Sequence, residues 1–344
     1  MKRELLEKLR WDRTGPGDWE LEVREEDGRE VRRAVLRSRK TGETFEVRDG
    51  ILNMLGDLPA EVRREKEHAE SFDYLEIDGE KHRISAETID RYRHLFLSLP
   101  AGDGSAVFRP GGSFDNQAGN AERFFKTLEL LRLREGEEVL EVGASFGWAS
   151  RNFALRGCCV TALDVTDYAR AADLYFEEDG CYFDRVMADM SRLPFADGAF
   201  DLIFSHSVIH HCKDLATLFR EFRRVLRPGG RVVALHECSF GIFEDRSGKA
   251  LEEAIREGFN ENAYTISQWK RGAREGGFRK TGVHFFSFID DYLYRKKLRG
   301  AKRNAKIRLA EWIKARPALD RVLNLLSIPY RILFRPKAWM LIAQ

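Results

Sequence analysis

The chain has 344 residues, of which 43% are hydrophobic and 33% charged, with a formal net charge of +2. That length holds a well-buried core plus an accessory module, and a balance so near neutral carries no whole-chain signature of a nucleic-acid binder. No apolar run approaches the roughly twenty residues of a membrane span, and the start lacks the apolar stretch of a signal peptide. The five cysteines show no CxxC spacing, which suits reduced thiols packed as small core residues of a cytoplasmic protein.

Residues 1–56 read as a small β module: 19–23 alternates, Asp27 and Gly28 turn, 31–36 returns, Thr41 and Gly42 turn again, and 45–47 makes a third strand. Residues 57–118 are first helical, with Tyr92, Leu95, Phe96 and Leu99 at helical spacing, and then rich in Gly, Pro, Ser and Asn over 102–119. A loop of that kind is either a lid over a ligand or a plain interdomain linker.

The stretch 139–150 reads as a buried strand, a glycine-bearing turn and a helix. Its Gly143-x-Ser145-x-Gly147 spacing also fits a hydrolase nucleophile elbow with Ser145 as nucleophile. The next three strands argue against that. A second strand, 159–164, ends in Asp164 roughly twenty residues after the turn, the spacing at which a carboxylate grips ribose hydroxyls. A third unit, 185–190, carries Asp189 and Met190, and a fourth strand, 200–205, ends in Ser205. Acidic or glycine-bearing strand ends along one edge mark the ligand side of a doubly wound α/β sheet.

Taken together, Glu141-x-Gly143-x-Ser145-x-Gly147, Asp164, Ala188-Asp189, the stretch 193–201, the stretch 207–211 with its His210-His211 pair, and the stretch 225–230 resemble class I S-adenosylmethionine-dependent methyltransferases of the ubiquinone/menaquinone-biosynthesis type. The resemblance covers roughly residues 119 to 289, and Ser145 stands where the family usually has glycine. It implies a Rossmann-like, seven-stranded α/β sheet over 119–344, with S-adenosylmethionine as cofactor and S-adenosylhomocysteine as product. It also implies site roles: Glu141 near the methionine amino group, the Gly143, Ser145 and Gly147 backbone under the cofactor, Asp164 on the ribose, Asp189 with the Met190 amide on the adenine edge, and Ser205 beside them. The tail of the first module resembles the zinc ribbons attached to some methyltransferases, but Trp11, Thr14, Ser38 and Thr41 occupy the cysteine positions. Zinc prefers four soft or borderline ligands, so the expectation is a ribbon without metal, or else an unrelated β module.

The acceptor side is less defined. His206, His210, His236 and Glu237 cluster at strand ends where an acceptor approaches, and His suits a base near neutral pH. Methyl transfer from a sulfonium is an in-line displacement governed by alignment, so one base suffices and a second-layer orienting role competes for each of the four. No His-Glu-x-x-His accompanies His206 and His210, so no metal is expected. A helix is expected over 249–273, and Tyr264 and His284 are weaker site candidates. Residues 290–335 form a basic, amphipathic helical insertion before a last strand at 338–342. Its default reading is a solvated helix on the core; contact with an anionic membrane surface comes next, and RNA phosphate after that. The leading functional expectation is methyl transfer to an O or C atom of a small apolar or aromatic metabolite. A guanine-N1-type rRNA methyltransferase and a non-catalytic S-adenosylmethionine-binding regulator are the alternatives.

Overall fold

The computed structural model describes residues 1–71, 74–243, 262, 264–334 and 339–344. Strands β1 (Trp19–Glu26), β2 (Val31–Ser38), β3 (Thr44–Arg48) and β4 (Ile51–Asn53) come first. They are followed by α1 (Ala60–Ser71), the hairpin β5 (Tyr74–Ile77) and β6 (Glu80–Arg83), and the short helices α2 (Ala86–Arg91) and α3 (Arg93–Leu97). The core then runs α4 (Asp115–Leu131), β7 (Glu138–Val142), α5 (Trp148–Ala154), β8 (Cys159–Asp164), α6 (Ala172–Asp179), β9 (Asp184–Met187), β10 (Phe200–His206), α7 (Leu215–Val225) and β11 (Leu226–Leu235). A short parallel pair, β12 (Ser239–Phe240) with β13 (Tyr264–Thr265), leads into α8 (Ile266–Glu275) and β14 (Thr281–Phe285). Helices α9 (Phe288–Leu298), α10 (Ala305–Lys314) and α11 (Pro317–Phe334) precede the last strand, β15 (Trp339–Ala343).

Seven strands in the order β9-β8-β7-β10-β11-β15-β14 make a doubly wound sheet. β9 through β11 are parallel, and β15 enters antiparallel between β11 and β14. Val139, Leu140, Val142, Leu202, Ile203 and Phe204 are buried on both faces, which is why these strands read as continuous apolar runs in the sequence. The chain order reverses between β7 and β10, and a crevice opens there at the carboxyl ends of the strands.

The sheet is wider than the seven expected strands. β4 pairs in parallel with β9, so β1 to β4 continue it to eleven strands. The join is reinforced by a buried ion pair, Arg185 Nη2 to Glu30 Oε1 at 2.5 Å, and by Arg32, which donates to both Glu30 and Asp173. The four positions where a ribbon would carry cysteines come together: Trp11 and Thr14 exchange backbone hydrogen bonds of 2.8 Å, Thr14 Oγ1 bonds Ser38 Oγ, and the Thr41 amide donates to Ser38 Oγ at 3.0 Å. Of the actual cysteines only Cys158 is buried. Cys159 is exposed on a strand end, and Cys181, Cys212 and Cys238 are half-buried, so most are not core residues.

Candidate functional site

The crevice is a cavity of about 500 Å³ lined by the ends of β7, β8, β9 and β10 and their loops. The turn after β7 needs left-handed backbone. Gly143 has φ +72°, and a Cβ there would meet Val208 Cγ2 at 2.2 Å. Ser145, in place of the expected glycine, holds φ +46°, a conformation costing about 1–2 kcal/mol for an L residue. Its amide donates to Asp164 Oδ2 at 2.8 Å, which ties the turn to the end of β8 and offsets that strain. Gly147 supports the turn from behind: its φ is +74°, and a Cβ would press on Phe183 Cζ at 2.8 Å.

Glu141, Gly143, Ser145, Asp164, Asp189 and Met190 all face this one cavity. Glu141 is buried, with Ser150 Oγ donating to its Oε2 at 2.5 Å; burial raises its pKa to about 8, against the pull of that hydrogen bond. Asp164 Oδ1 accepts from the Thr166 amide and hydroxyl at 2.9 and 2.8 Å, and Asp189 accepts from the Ser191 amide and hydroxyl, each at 2.8 Å. Both carboxylates are thus aimed by the residue two places on and keep lone pairs for a ligand. A glycine cradle, two fixed carboxylates and a buried acid along one wall fit an elongated nucleoside with a charged amino-acid end.

The acceptor-side candidates divide. His206 lines the cavity, edge-on to Trp148 with ring centroids 5.3 Å apart, and stacks on His236 at 5.6 Å. Burial depresses the His206 pKa to about 4, and burial followed by the Arg123 charge lowers that of His236 as well. Ser205, His210, His236 and Glu237 are not among the cavity-lining residues. Glu237 instead accepts from Ser205 Oγ at 3.1 Å, from the amides of Val208, Ile209 and His210, and meets His210 Nδ1 at 2.8 Å. One carboxylate therefore gathers the whole loop after β10 behind the cavity wall. Tyr264 also serves that loop, its hydroxyl donating to the Cys212 carbonyl at 2.9 Å, while His284 packs edge-on against Phe286.

Several cavity residues were not singled out from the sequence. α1 contributes Glu61, Val62, Glu65 and Ala69 to the lining, and the first turn of α4 contributes Asn116 and Gln117. Only these last two belong to the glycine-rich 102–119 stretch. α1 buries no residue and is held by polar contacts across the mouth: Lys213 to Glu61 at 3.3 Å, His211 Nδ1 to Glu65 at 3.1 Å, and the Tyr168 hydroxyl donating to the Ala69 carbonyl at 2.7 Å. His211, rather than His210, is the member of the His-His pair on the cavity. Residues 249–261 of the expected 249–273 helix lie outside the described residues; among the described ones a separate helix, α8, begins only at Ile266, capped by Thr265 at the end of β13. Among the described residues, no group of three or more His, Cys, Asp or Glu side chains is placed to hold a metal ion.

The methyltransferase domain family matches residues 140–234, the segment that carries the turn, Asp164, Asp189 and the fourth and fifth core strands. The chain is 34% identical over 113 residues to malonyl-[acyl-carrier protein] O-methyltransferase of Erwinia billingiae, covering 31% of this chain and 44% of that protein. It is 27% identical over 220 residues to sterol 24-C-methyltransferase ERG6B of Gibberella zeae, covering 59% of this chain and 55% of that protein. The chain spans about half the length of these curated relatives. A solved structure of Haemonchus contortus phosphoethanolamine N-methyltransferase 2 overlaps 77% of this chain and 61% of its own at 19% identity, with a TM-score of 0.45. Over residues 140–234 the chain thus matches the methyltransferase domain family, within a Rossmann-like sheet whose switch-point cavity takes S-adenosylmethionine as cofactor.

Proposed function

We propose that the protein moves the methyl group of S-adenosylmethionine to an O or C atom of a small metabolite with a large apolar or aromatic part. The observation that carries this reading is the single cavity in which Glu141, Asp164 and Asp189 line up on one side and Trp148, Tyr168, Val208 and Leu218 offer apolar surface. In this reading Glu141 meets the methionine amino group, the Gly143 and Ser145 backbone underlies the cofactor, Asp164 takes the ribose hydroxyls, and Asp189 with the Met190 amide takes the adenine edge. The two curated relatives are named for an O-acceptor and a C-acceptor, which supports that pair of atom types. His206 is the residue of the four acceptor-side candidates that reaches the acceptor; His210, His236 and Glu237 position it and its loop.

The experiment is incubation of purified protein with methyl-labelled S-adenosylmethionine and a cell extract, followed by separation of lipid, small-molecule, RNA and protein fractions. Label in lipid or small molecules is expected. Label in RNA would favour the rRNA alternative, and intact cofactor binding with no transfer would favour the regulator.

The helical arm α9 to α11 has its own role in this proposal: it rests on an anionic membrane surface. Val322, Leu325, Leu326, Tyr330 and Phe334 lie along one face of α11 and are all exposed, Leu326 by 71%. Leu309 and Trp312 of α10 are exposed too, and Lys302, Arg303, Lys306, Arg308, Lys314, Arg316 and Arg321 are exposed in the same stretch of chain, Arg316 over the Trp312 ring. Apolar side chains facing solvent among cations match the interface of an anionic bilayer. No helix among the described residues is long and apolar enough to cross a membrane. The 1–56 module, 57–118 cover and 119–344 catalytic domain act in this reading as a docked ribbon without metal, a lid, and the site it closes.

A further inference from the structure

Helix α1 brings Glu61, Glu65 and Ala69, each one helical turn from the next, to the cavity lining. Each is tied to the rest of the site by a polar contact: Glu61 to Lys213 at 3.3 Å, Glu65 to His211 at 3.1 Å, and the Ala69 carbonyl to the Tyr168 hydroxyl at 2.7 Å. Two of the three reach one loop, so that Glu-x-x-x-Glu on the helix meets His-x-Lys after β10. The cofactor roles proposed above make no use of this pairing.

His211 lines the cavity from a backbone that the fold fixes on several sides. The Asn262 amide and Nδ2 donate to the His210 carbonyl at 3.2 and 3.0 Å, and the Tyr264 hydroxyl donates to the Cys212 carbonyl at 2.9 Å. The His210 ring, itself held by Glu237, lies against the His211 ring with centroids 4.3 Å apart. Nδ1 of His211 is buried, and the nearby carboxylate oxygen is Glu65 Oε1. The two atoms are in contact without being aligned as a hydrogen bond, which is common in a catalytic pair before its substrate is in place. The His211 side chain is 21% exposed and that of Glu65 17%, so water screens the pair only in part. His206 shares the wall, but burial lowers its pKa to about 4, and it takes up a proton poorly near neutrality.

We propose that His211 is the base of the transfer and that Glu65, supplied by α1, is the positioning residue that holds its ring, so that the pair is complete only with α1 seated at the cavity. The proposal rests on the methyltransferase reading above and applies to a hydroxyl acceptor. As the acceptor oxygen bonds to the methyl carbon, the carbon–sulfur bond breaks and its electron pair stays on sulfur. The hydroxyl proton passes to His211 Nε2, and Glu65 balances the imidazolium charge through Nδ1–H. That proton leaves to water once the methylated product departs.

The first test reads the ring itself. Nitrogen-15 NMR of the histidine-labelled full chain, saturated with S-adenosylhomocysteine, should show His211 with its proton on Nδ1 and Nε2 bare, the form a base requires. His211→Gln identifies the signal by its loss, and Glu65→Ala should release the bias. A native His211 ring that carries its proton on Nε2, or one whose state does not change in Glu65→Ala, overturns the proposal. The second test is the initial rate of label transfer from methyl-labelled S-adenosylmethionine to the lipid and small-molecule fractions of a cell extract. His211→Gln is expected to lower it by at least about a hundredfold. Glu65→Ala should lower it by at least about tenfold, with Glu65→Gln in between because its amide oxygen still accepts from Nδ1. Each variant should still bind S-adenosylhomocysteine by calorimetry, and a native rate in His211→Gln overturns the assignment. The tautomer of the native ring decides the pairing even where a variant fails to fold. If the native chain transfers no label to any fraction, the parent reading fails while the tautomer still answers for the pair, so the two failures are separable.

Discussion

His210 Nδ1 and Glu237 Oε2 lie 2.8 Å apart in a buried pair behind the cavity wall, and the same carboxylate receives the amides of three successive residues of the loop after β10. Burial pushes the Glu237 pKa up, but the His210 and amide hydrogen bonds outweigh it and hold the group below the usual carboxylate range.

Removing that charge should loosen the loop. Glu237→Gln is expected to destabilise the protein by about 3 kcal/mol, as breaking one side of a buried pair does. Because the folded pKa is depressed, this contribution is present above the unfolded value and lost as pH falls through the folded one. Urea unfolding of native and variant protein at pH 7 and pH 4 should show a difference that shrinks at the lower pH; a difference independent of pH contradicts the assignment.

Glu141, if it meets the methionine amino group as proposed, should give cofactor binding a pH dependence. With its pKa raised to about 8 by burial, it is largely neutral at pH 6 to 7, and pairing with an amino-acid ammonium requires it to ionise. Binding should release a proton, and affinity for S-adenosylhomocysteine should rise with pH between 6 and 7.5 by up to about tenfold per unit. Calorimetry in two buffers of different ionisation enthalpy reads the proton directly. Identical heats in both would sink the pairing.

Asp164→Ala should weaken cofactor binding by about 1.5–3 kcal/mol for each ribose hydrogen bond lost. Asp164→Asn should fall between it and the native protein, since the amide oxygen still accepts from the Ser145 or Thr166 amides. A titration with unchanged affinity in the alanine variant would remove Asp164 from the ribose.

His206 should not titrate near neutrality. Its pKa of about 4, set mainly by burial, keeps the ring unprotonated throughout pH 6 to 8. The kcat/KM profile should therefore have no inflection near 6.5 that belongs to this residue. An inflection there that vanishes in His206→Asn would show a solvated, charging imidazole instead.

Leu325→Asp with Leu326→Asp should abolish binding to vesicles containing phosphatidylglycerol, each leucine contributing about 1.5–3 kcal/mol when buried in the interface. Both side chains are exposed, so cofactor affinity and unfolding midpoint should not move. Sedimentation with anionic and with purely zwitterionic vesicles checks this, and equal binding by the double variant would reject the arm as the contact.

The strands of the central sheet were legible because buried parallel strands are apolar throughout and end in a glycine or an acid, as at Gly143, Asp164 and Asp189. Direction was not legible. A His or Glu at a strand end can face the cavity or the interior: His206 lines the cavity and Glu237 lies behind it, with a left-handed φ of +60° at the adjoining Ser207 and His236. The lining from α1 was hidden for another reason. α1 is charged along its length and buries nothing, so its place depends on long-range ion pairs that periodicity does not encode. Likewise the 322–334 stripe announced an amphipathic helix, but sequence alone could not say that its apolar side faces solvent.

The pairing of β4 with β9 has an effect on the protein's behaviour in a crowded solution. A sheet ending at β9 would present open amides and carbonyls beside Val186 and Met187, a template on which another chain could polymerise. The four added strands carry that edge out to β1, where Glu20, Glu22, Glu25 and Glu26 stand. Arg24 beside Glu22 and Arg3 beside Glu26 make this a border of mixed charge, and a second copy approaching it must strip water from those side chains before it reaches hydrogen-bonding groups, so the added strands disfavour edge-to-edge association.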